Sequence, residues 1–472
     1  MKKIANTIDI TKSTILINII SRQKLASIRF PESDKPYDIE LHPINKGIKC
    51  DIYSGRFLYN NDNWNFNNLE IDIPNIIIKI PQLFLNYKSN NKVSGKIPNF
   101  EIEGFSNTKK TYHRLFLPIN KKINFLNSVE NILVNYNYNS NITTCEATEI
   151  TIKDNVFHIF LAKQTIGEIE ENYLVIDSQY ELSFSDFSEY CFSILICFGY
   201  IAGDFINDDG YFFQYLDEAK TEIAGLRYSQ LRGSINCHYA PVHCDPYALI
   251  HDDKIAEKYF NKPRGLSIKE FSNLCSLCYS KDEIKTILIL ILETNTQSLV
   301  SSPGILSIVL ETFSNFICNE NEKTTTPIPS RKTSKSLRAE LLKGLEKFKE
   351  ELSPDGYEII KNKITQINQM TNKEKLLLPF KILNIPINKA DIEAIEQRNA
   401  FLHGREPMVQ DANPKSNAEA DSFRHYLYLK IYVLISAMIL KYIGFDNMII
   451  NYPKIHENGT GITLDEEYYR QI

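Results

Sequence analysis

Residues 388–404 read N-K-A-D-I-E-A-I-E-Q-R-N-A-F-L-H-G, and this stretch contains the signals that begin a helix. Asn388 and Asp391, three residues apart, form an asparagine–aspartate version of the capping box, which predicts that a helix begins there. Ile392 and Ile395 then supply an apolar stripe at helical spacing. The stretch therefore predicts an amphipathic helix with one face packed against a core.

The other end of this helix carries the polar groups, and we expect Arg398 and His403 there to lie outside the core. Gly404 stands where a C′ glycine would end the helix, and Pro407 prevents its continuation. Arg398 and His403 are five residues apart, roughly 140° around a straight helix, so they share one site only if the last turn unwinds. The helix end favours the imidazolium form of the histidine. With Asn399, these residues offer a permanent cation, a titratable imidazole and an amide, which suits chemistry on a phosphodiester.

The phrase R-N-A-F-L-H-G resembles the R-x4-6-H motif of HEPN-domain ribonucleases, in which the residue after the arginine is often polar, as Asn399 is. Segments around it resemble the ApeA group of HEPN proteins, which are associated with anti-phage defence. They are Leu292–Glu293, Leu310–Glu311, the phrase N-K-E-K-L-L-L-P-F-K-I-L-N-I at 372–385 and a long apolar helix after the motif. The resemblance covers roughly residues 283–445.

The resemblance implies a metal-independent endoribonuclease that acts in abortive infection. The RNA 2′-OH would attack the adjacent phosphate and leave a 2′,3′-cyclic phosphate and a 5′-OH end. His403 would be the general acid or base, Arg398 would stabilise the charge on phosphorus, and Asn399 would orient the backbone or the phosphate. In the family two bundles meet, which implies a homodimer with a composite site. The implied partners are RNA, such as tRNA or mRNA, and a phage-derived activator; no cofactor is implied.

Length and composition limit the class of protein. The chain has 472 residues, enough for two or three domains, and its net charge of −5 gives no global attraction to nucleic acid. Nine scattered cysteines fit reduced thiols in a cytosol. Asp9 and Lys12 interrupt any signal-peptide core, and the longest nearly apolar run, between Glu189 and Asp204, is too short to span a bilayer. We therefore expect a cytoplasmic protein with no membrane partner.

The fold class predicted is α+β and multidomain, with an N-terminal antiparallel β domain followed by an all-α bundle of the HEPN type. Residues 1–180 should form a β-rich sensing or regulatory domain, a sandwich or barrel, because short runs of Ile, Val, Phe, Tyr and Thr alternate with turn residues. The predicted strands are Ser27–Phe30, Ile48–Tyr59, Leu69–Ile80, Asn99–Phe105, Arg114–Leu117, Ile132–Tyr136, Thr144–Ile152, Val156–Leu161 and Tyr173–Asp177. Trp64 is expected to fill the core more readily than to form a recognition surface with Phe66.

Helical periodicity begins at Ser183. Residues 181–280 should form a helical and irregular connecting region with a short helix over 217–223. Residues 281–450 should form the bundle, and residues 451–472 a C-terminal tail. The helices predicted in the bundle are 282–300, a second one to about Cys318, 336–352, 356–369, 388–403 and 418–442.

A basic segment within the predicted bundle is the candidate RNA-binding surface. Residues 331–349 contain seven Lys or Arg against two Glu, a local net charge of +5 (7 − 2). A solvated helix face and a phosphate-binding rim explain this pattern about equally well, and the motif favours the second. The residues we assign to RNA binding are Arg331, Lys332, Lys335, Arg338, Lys343 and Lys347.

Two alternative functions come from other features of the sequence. In the first, the bundle is a non-catalytic interaction module in which Arg398 forms a salt bridge with Glu393 or Glu396. In the second, a zinc ion organises the central segment, which would bind nucleic acid or a phage protein without cleaving it. The weak zinc candidates are Cys237, His243, Cys244, Cys275 and Cys278. A second arginine–histidine pair, Arg232 and His238, has five residues between its members and a glycine where the motif has a polar residue, so we treat it as a decoy.

Overall fold

The computed structural model describes residues 3–23, 26–30, 33, 35–44, 47–53, 64–89, 91–119, 128–138, 141–166, 169–321, 327–402 and 416–472. The chain divides into two compact units, Met1–Asn295 and Thr296–Ile472. The first is built on β-strands and the second on helices, so the α+β architecture predicted from the sequence is confirmed.

The first unit contains one large sheet and five α-helices among its described residues. Its strands are β1 Lys3–Asp9, β2 Ala26–Arg29, β3 Tyr37–Ile44, β4 Gly47–Tyr53, β5 Asn65–Ile73, β6 Ile76–Lys88, β7 Val93–Ile102, β8 Tyr112–Ile119, β9 Ile132–Tyr138, β10 Asn141–Ile152, β11 Asn155–Ile166, β12 Ile169–Ser178, β13 Asp204–Phe205, β14 Asp209–Tyr215, β15 Ile223–Gln230 and β16 Ile235–Asn236. Its helices are α1 Thr11–Ser21, α2 Phe184–Ala202, α3 Asp253–Tyr259, α4 Ile268–Ser280 and α5 Asp282–Glu293.

Fourteen strands form the sheet in the order β1-β9-β10-β11-β12-β8-β14-β15-β7-β4-β3-β2-β5-β6, and β6 also pairs with β7. That last pairing closes β2–β7 into a six-stranded barrel. Every pairing in the sheet is antiparallel except that of β1 with β9. The barrel is filled by alternate residues, as in β5, where Phe66, Leu69, Ile71 and Ile73 are buried between exposed polar neighbours. Trp64, immediately before β5, is 46% exposed, so the expectation that it fills the core is wrong.

Two of the secondary-structure elements predicted in this unit are wrong. The predicted strand over residues 69–80 is two strands, because Asn75 adopts a positive φ of 68° in a turn between β5 and β6. The predicted helix at 217–223 is the turn between β14 and β15. There the Asp217 carboxylate accepts hydrogen bonds from the amides of Thr221 and Glu222, and Lys220 reaches the buried carboxylate of Asp177 at 3.1 Å.

The connecting region and the domain boundary also differ from the predicted ones. The segment 204–236 adds β14 and β15 to the large sheet. The helix α5 packs on α2 and α4 within the first unit, so the boundary between the units lies after residue 295 and not at 281. The helix predicted from Ser183 is present as α2, and the Ser183 hydroxyl accepts a hydrogen bond from the Asp186 amide.

The second unit is helical. Its elements are α6 Ser302–Glu320, α7 Arg331–Glu346, α8 Pro354–Thr365, α9 Asn372–Ile382, α10 Lys389–Leu402, α11 Asn417–Tyr442, β17 Met448–Ile450, α12 Tyr452–Ile455, α13 Glu457–Thr460 and β18 Tyr469–Gln471. The helix α6 packs against α9, α10 and α11. Residues 451–472, predicted as a tail, include β18, which pairs with β17.

The helix α11 is the central element of this unit. It is long and apolar enough to cross a bilayer, but 83% of its most apolar window is buried inside the protein. Its buried residues include Leu434, Ile435, Met438 and Ile439. Such burial on all sides is typical of the core helix of a soluble protein.

Candidate functional site

The motif helix α10 begins where the sequence predicts. The amide of Asp391 donates to the Asn388 side-chain oxygen at 2.9 Å, and the Asn388 amide donates to the Asp391 carboxylate at 3.0 Å. Both hydrogen bonds of the capping box are therefore formed, and they satisfy two of the amides that a helix N-terminus leaves without partners.

Asp391 has a second role that the sequence did not indicate. It is fully buried and lies 3.0 Å from the ammonium of Lys430 on α11, which is also fully buried. Arg470 of β18 approaches the same carboxylate at 2.8 Å, and Glu466 approaches Lys430 at 2.6 Å. We call Asp391, Lys430, Glu466 and Arg470 the buried clamp. It ties the start of the motif helix to α11 and to the C-terminal segment.

The hydrogen bonds of the clamp determine the charge state of Glu466. Burial alone would raise the pKa of its carboxyl, but Lys430, Asn451 and Asn388 lower it, and the net effect is a lowered pKa. Glu466 therefore remains ionised in the folded protein at neutral pH. The clamp pairs two carboxylates with two cations, so its interior charges balance.

Arg398 is buried, whereas the sequence led us to expect it outside the core. Only 3% of its surface is exposed, and its guanidinium lies 2.5 Å from the carboxylate of Glu311 on α6. The side chain of Glu311 is 43% exposed, so the ion pair lies at the edge of the bundle, where the guanidinium has little direct access to solvent. Within the described residues Arg398 forms its salt bridge with Glu311; Glu393 pairs with Lys389 and Glu396 with Lys373, so the predicted salt bridge of Arg398 with either of them is not formed.

The other two motif residues are only partly covered by the structure. The backbone of Asn399 belongs to α10, and its side chain lies outside what the structure describes. His403 and Gly404 lie outside the described residues, which on this side end at Leu402. The structure therefore fixes the position of one of the three predicted catalytic side chains.

A pair of histidines that the sequence did not single out lies in the same unit. The rings of His425 on α11 and His456, between α12 and α13, have centroids 5.8 Å apart. Burial lowers the pKa of both imidazoles, and the charge of His425 lowers that of His456 further, so both are neutral near pH 7. Tyr426, the next residue after His425, packs in one cluster with Ala394 of α10. The fold thus brings the His425 segment of α11 beside the motif helix. The sequence could not show this proximity, because more than twenty residues separate His425 from the end of the motif helix.

The basic segment forms α7 and its C-terminal end. Arg331, Lys332, Lys335, Lys343 and Lys347 are exposed, and Arg338 is half-buried. In the part of the second unit that the structure describes, none of these six side chains forms an ion pair, while the nearby pairs are Lys349–Glu346 and Lys361–Glu358. The helix α7 packs mainly on α8. An exposed helix with unneutralised cations is suited to contacts with phosphates.

The zinc candidates do not assemble into a metal site. Cys275 and Cys278 are buried on α4 and face Cys197 of α2, and burial holds the pKa of the Cys197 thiol well above its ordinary value. The Cys237 thiol is directed to the carbonyl of Ile235, and the His243 ring to that of Asp245. Within the described ranges no three His, Cys, Asp or Glu residues are placed to hold a metal ion.

The decoy pair is also held by structural contacts. Arg232 forms an ion pair with Glu293 of α5, and the His238 amide donates to the Asn295 side chain at 3.0 Å. These contacts fasten the segment between β15 and β16 to the end of α5, which gives Arg232 a structural partner within the first unit.

No family model matches this sequence, and no curated protein or solved structure matches it significantly. The functional argument therefore depends on the motif residues and on the geometry described above.

Proposed function

We propose that this protein is a metal-independent endoribonuclease of the HEPN type that acts in anti-phage defence in the cytoplasm. The RNA 2′-OH attacks the adjacent phosphate, His403 transfers a proton, Arg398 stabilises the developing charge, and Asn399 orients the backbone or the phosphate. The products are a 2′,3′-cyclic phosphate and a 5′-OH end. The observation that carries the proposal is the Arg398–Glu311 ion pair, because it joins two of the segments on which the resemblance rests, the motif and Leu310–Glu311.

The ion pair suits a positioned arginine. A carboxylate at 2.5 Å fixes the direction of the guanidinium, and a held guanidinium loses less entropy when it meets a phosphate than a mobile one does. The six cations of α7 and its C-terminal end lie in the same helical unit and would hold the RNA backbone. A homodimer would bring two copies of the motif together, and a phage-derived activator would increase the basal rate of cleavage.

One observation favours a second candidate function. Arg398 is 3% exposed and paired, which is what a structural arginine in a non-catalytic interaction module requires. In that case the pair stabilises the packing of α10 on α6, and the surface of the bundle binds a partner without cleaving RNA. The two candidates differ in the role of His403, because a structural ion pair does not need that imidazole.

The experiment that separates them compares His403→Ala and Arg398→Lys with the wild-type protein on total cellular RNA. We expect His403→Ala to reduce cleavage about 10²-fold or more, since the proton transfer is lost. Arg398→Lys keeps a positive charge beside Glu311, so the protein should remain folded. It loses the planar guanidinium that can contact two phosphate oxygens at once, so it should also reduce cleavage by about 10²-fold. Arg398→Ala is a poor test because it leaves a cavity and an unpaired Glu311.

His238→Ala is the matched control, since His238 is an exposed histidine of the decoy pair. Its cleavage rate should equal that of the wild type. Thermal unfolding of each variant shows whether a loss of activity follows a loss of fold. Wild-type rates in a folded His403→Ala variant would exclude the ribonuclease assignment and leave the interaction module.

A further inference from the structure

A cavity of about 620 Å³ lies beside the turn between β5 and β6, where α1, the end of β7 and the start of β15 also meet. Small-molecule binding sites commonly have volumes of about 300–1,000 Å³. The pairing of β15 with β7 ends at Arg227 and Glu101, and the cavity lies beyond that end. Its size is therefore that of a ligand site, and all its walls belong to the first unit.

Two glycines allow the wall between β7 and β15 to form. Gly104 has a positive φ of 98°, and a Cβ at this position would overlap the carbonyl oxygen of Ala224. A Cβ at Gly225 would lie 2.6 Å from the backbone nitrogen of Phe105. The chain that follows β7 can therefore approach β15 closely, and this approach places Glu103 at the cavity.

The inner surface of the cavity is mainly apolar. Seven of the eleven described residues that line it are Leu, Ile or Ala. Leu16, Ile76, Ile102 and Ile223 are partly buried against the core of the unit, and Ile77 remains 41% exposed. A ligand with an apolar body would remove this surface from water, which is favourable.

Apolar surface continues outside the cavity along α1. Ile15 and Ile19 are 42% and 41% exposed and lie one turn apart, and Ile19 neighbours Leu16 of the cavity at i+3 spacing. Single exposed apolar residues are normal, whereas a contiguous apolar surface of this kind marks a binding site.

The ionisable groups of the cavity are acidic. Among its described lining residues they are Asp72 and Glu103, both carboxylates. Asp72 forms an ion pair with Arg29 at 3.6 Å in which both side chains are at least half exposed, so this pair compensates the charge only weakly. Glu103 forms no ion pair within the part of the chain that the structure describes.

Two further cations near the cavity have other partners. Arg227 of β15 forms an ion pair with Glu101 at 3.4 Å. The ammonium of Lys12, one turn before Leu16, donates to the carbonyl of Thr221 at 2.8 Å. The cavity thus combines an apolar interior with an exposed carboxylate, a combination that favours a cation and disfavours an anion.

We propose that this cavity binds an amphiphilic cation. The apolar body of the ligand packs between Leu16, Ile77 and Ile223, and its charged group, a primary ammonium or a guanidinium, contacts the carboxylate of Glu103. The site contains none of the motif residues and requires no cleavage of RNA, so it goes beyond the proposed ribonuclease activity. It gives the β domain a small-molecule site of its own.

Calorimetric titration of the full chain tests the class of ligand. The probes are butyl-, hexyl- and octylammonium, with n-octanol and n-octyl sulfate as neutral and anionic counterparts, all below micelle-forming concentrations. We expect one saturable site per chain, with an affinity that increases about fourfold for each added methylene. Octyl sulfate should bind more weakly than octanol, and octanol more weakly than octylammonium. No saturation by octylammonium, no dependence on chain length, or equal affinity for octyl sulfate would overturn the proposal.

Glu103→Gln tests the position of the charged group. It should reduce the affinity for octylammonium about fivefold and leave that for octanol unchanged, because only the cation loses its partner. Glu189→Gln, a change at an exposed glutamate of α2 in the same unit, is the matched control and should bind both probes as the wild type does. Wild-type affinity for octylammonium in Glu103→Gln would show that the ammonium does not contact this carboxylate.

Ile77→Ser tests the apolar wall. It should weaken the binding of octylammonium and octanol alike, each about fivefold, because less apolar surface is buried with the ligand. Ile142→Ser, at a 67% exposed isoleucine of β10, is the matched control, and thermal unfolding shows that each variant remains folded. Equal affinities of Ile77→Ser and Ile142→Ser for both probes would contradict the site. None of these titrations contains RNA, so their failure is distinct from failure of the ribonuclease proposal.

Discussion

Arg398 is a buried cation, with 3% of its surface exposed to solvent, and the carboxylate of Glu311 compensates its charge. An isolated buried cation would be strongly unfavourable, whereas a close carboxylate compensates much of the lost hydration. The sequence identifies both residues but could not show that they pair, because 87 residues separate them. The motif predicts that Arg398 contacts a phosphate. In the fold Arg398 already pairs with Glu311, so a bound phosphate would either contact the guanidinium beside Glu311 or displace that carboxylate.

At the residue scale, His113 gives a prediction about pH. It is fully buried on β8, its Nε2 lies 2.8 Å from the carbonyl of Leu182, and burial lowers its pKa from 6.5 to about 4. Below pH 6.5 the unfolded chain binds a proton at this imidazole that the folded chain does not. The free energy of unfolding should therefore decrease by roughly 1.4 kcal/mol per pH unit between pH 6.5 and about 4, about 3 kcal/mol in total, and the loss is complete below that.

Urea unfolding at several pH values measures this slope. His113→Gln should remove its contribution, whatever the variant does to stability at pH 7, and His251→Gln, a change at an exposed histidine, should preserve it. A His113→Gln protein with the same slope as the wild type would show that His113 does not titrate in this way.

At the scale of elements, the buried clamp explains how α10 is held. Lys430 and Asp391 are both fully buried, so removal of either charge leaves the other poorly compensated. Asp391→Asn should lower the free energy of unfolding by about 3 kcal/mol, because Lys430 then relies on Glu466 alone. Asp421→Asn, at an exposed ion pair with Arg424 on α11, should cost less than about 1 kcal/mol. Equal midpoints of urea unfolding for the two variants would mean that the clamp contributes no more than a surface pair.

The elements differ in how far the sequence predicts them. Helices with caps and apolar periodicity were predictable: α10 and α11 begin within one residue of the expected positions, and α2 follows its serine cap. Their sequence signals are local, because a capping residue and an apolar stripe can both be recognised within one or two turns of helix. The helix predicted at 217–223 failed because a tertiary contact, Lys220 with buried Asp177, determines the turn there. The clamp was hidden for the same reason, since its members come from α10, α11 and the C-terminal segment.

At the scale of the whole molecule, the sequence predicted a sandwich or barrel but could not give the strand order that closes the barrel. Closure depends on β7, which pairs with β6 along one edge and with β4 and β15 along the other. The pairing of Ser229 with Asn99 joins residues 130 positions apart, and no local pattern encodes such a contact. The alternation of apolar and polar residues shows where strands occur. The order of the strands in the sheet depends on the packing of the whole unit, which the local sequence does not show.

Assembly is a prediction at this scale that follows from the chemistry. The proposed transesterification would need one group to remove the 2′-OH proton and another to protonate the leaving oxygen. One chain offers one motif histidine, and a second copy of His403 across a two-fold axis would supply the second proton-transfer group. We therefore expect sedimentation to show a dimer at working concentration. Mixing Arg398→Lys chains with His403→Ala chains should then give activity that is not the sum of two separate half-doses. A strictly monomeric, fully active protein would favour His425 of the same chain as the second imidazole.

The central claim is tested most directly by the products of the reaction. Purified protein is incubated with total cellular RNA in EDTA, and the new ends are mapped. We predict cleavage that persists in EDTA, leaves 2′,3′-cyclic phosphate and 5′-OH ends, and disappears in His403→Ala, since attack by the 2′-OH needs proton transfer and charge stabilisation but no bound metal. Intact RNA under all conditions, or cleavage that requires magnesium or manganese and is unchanged in His403→Ala, would contradict the account.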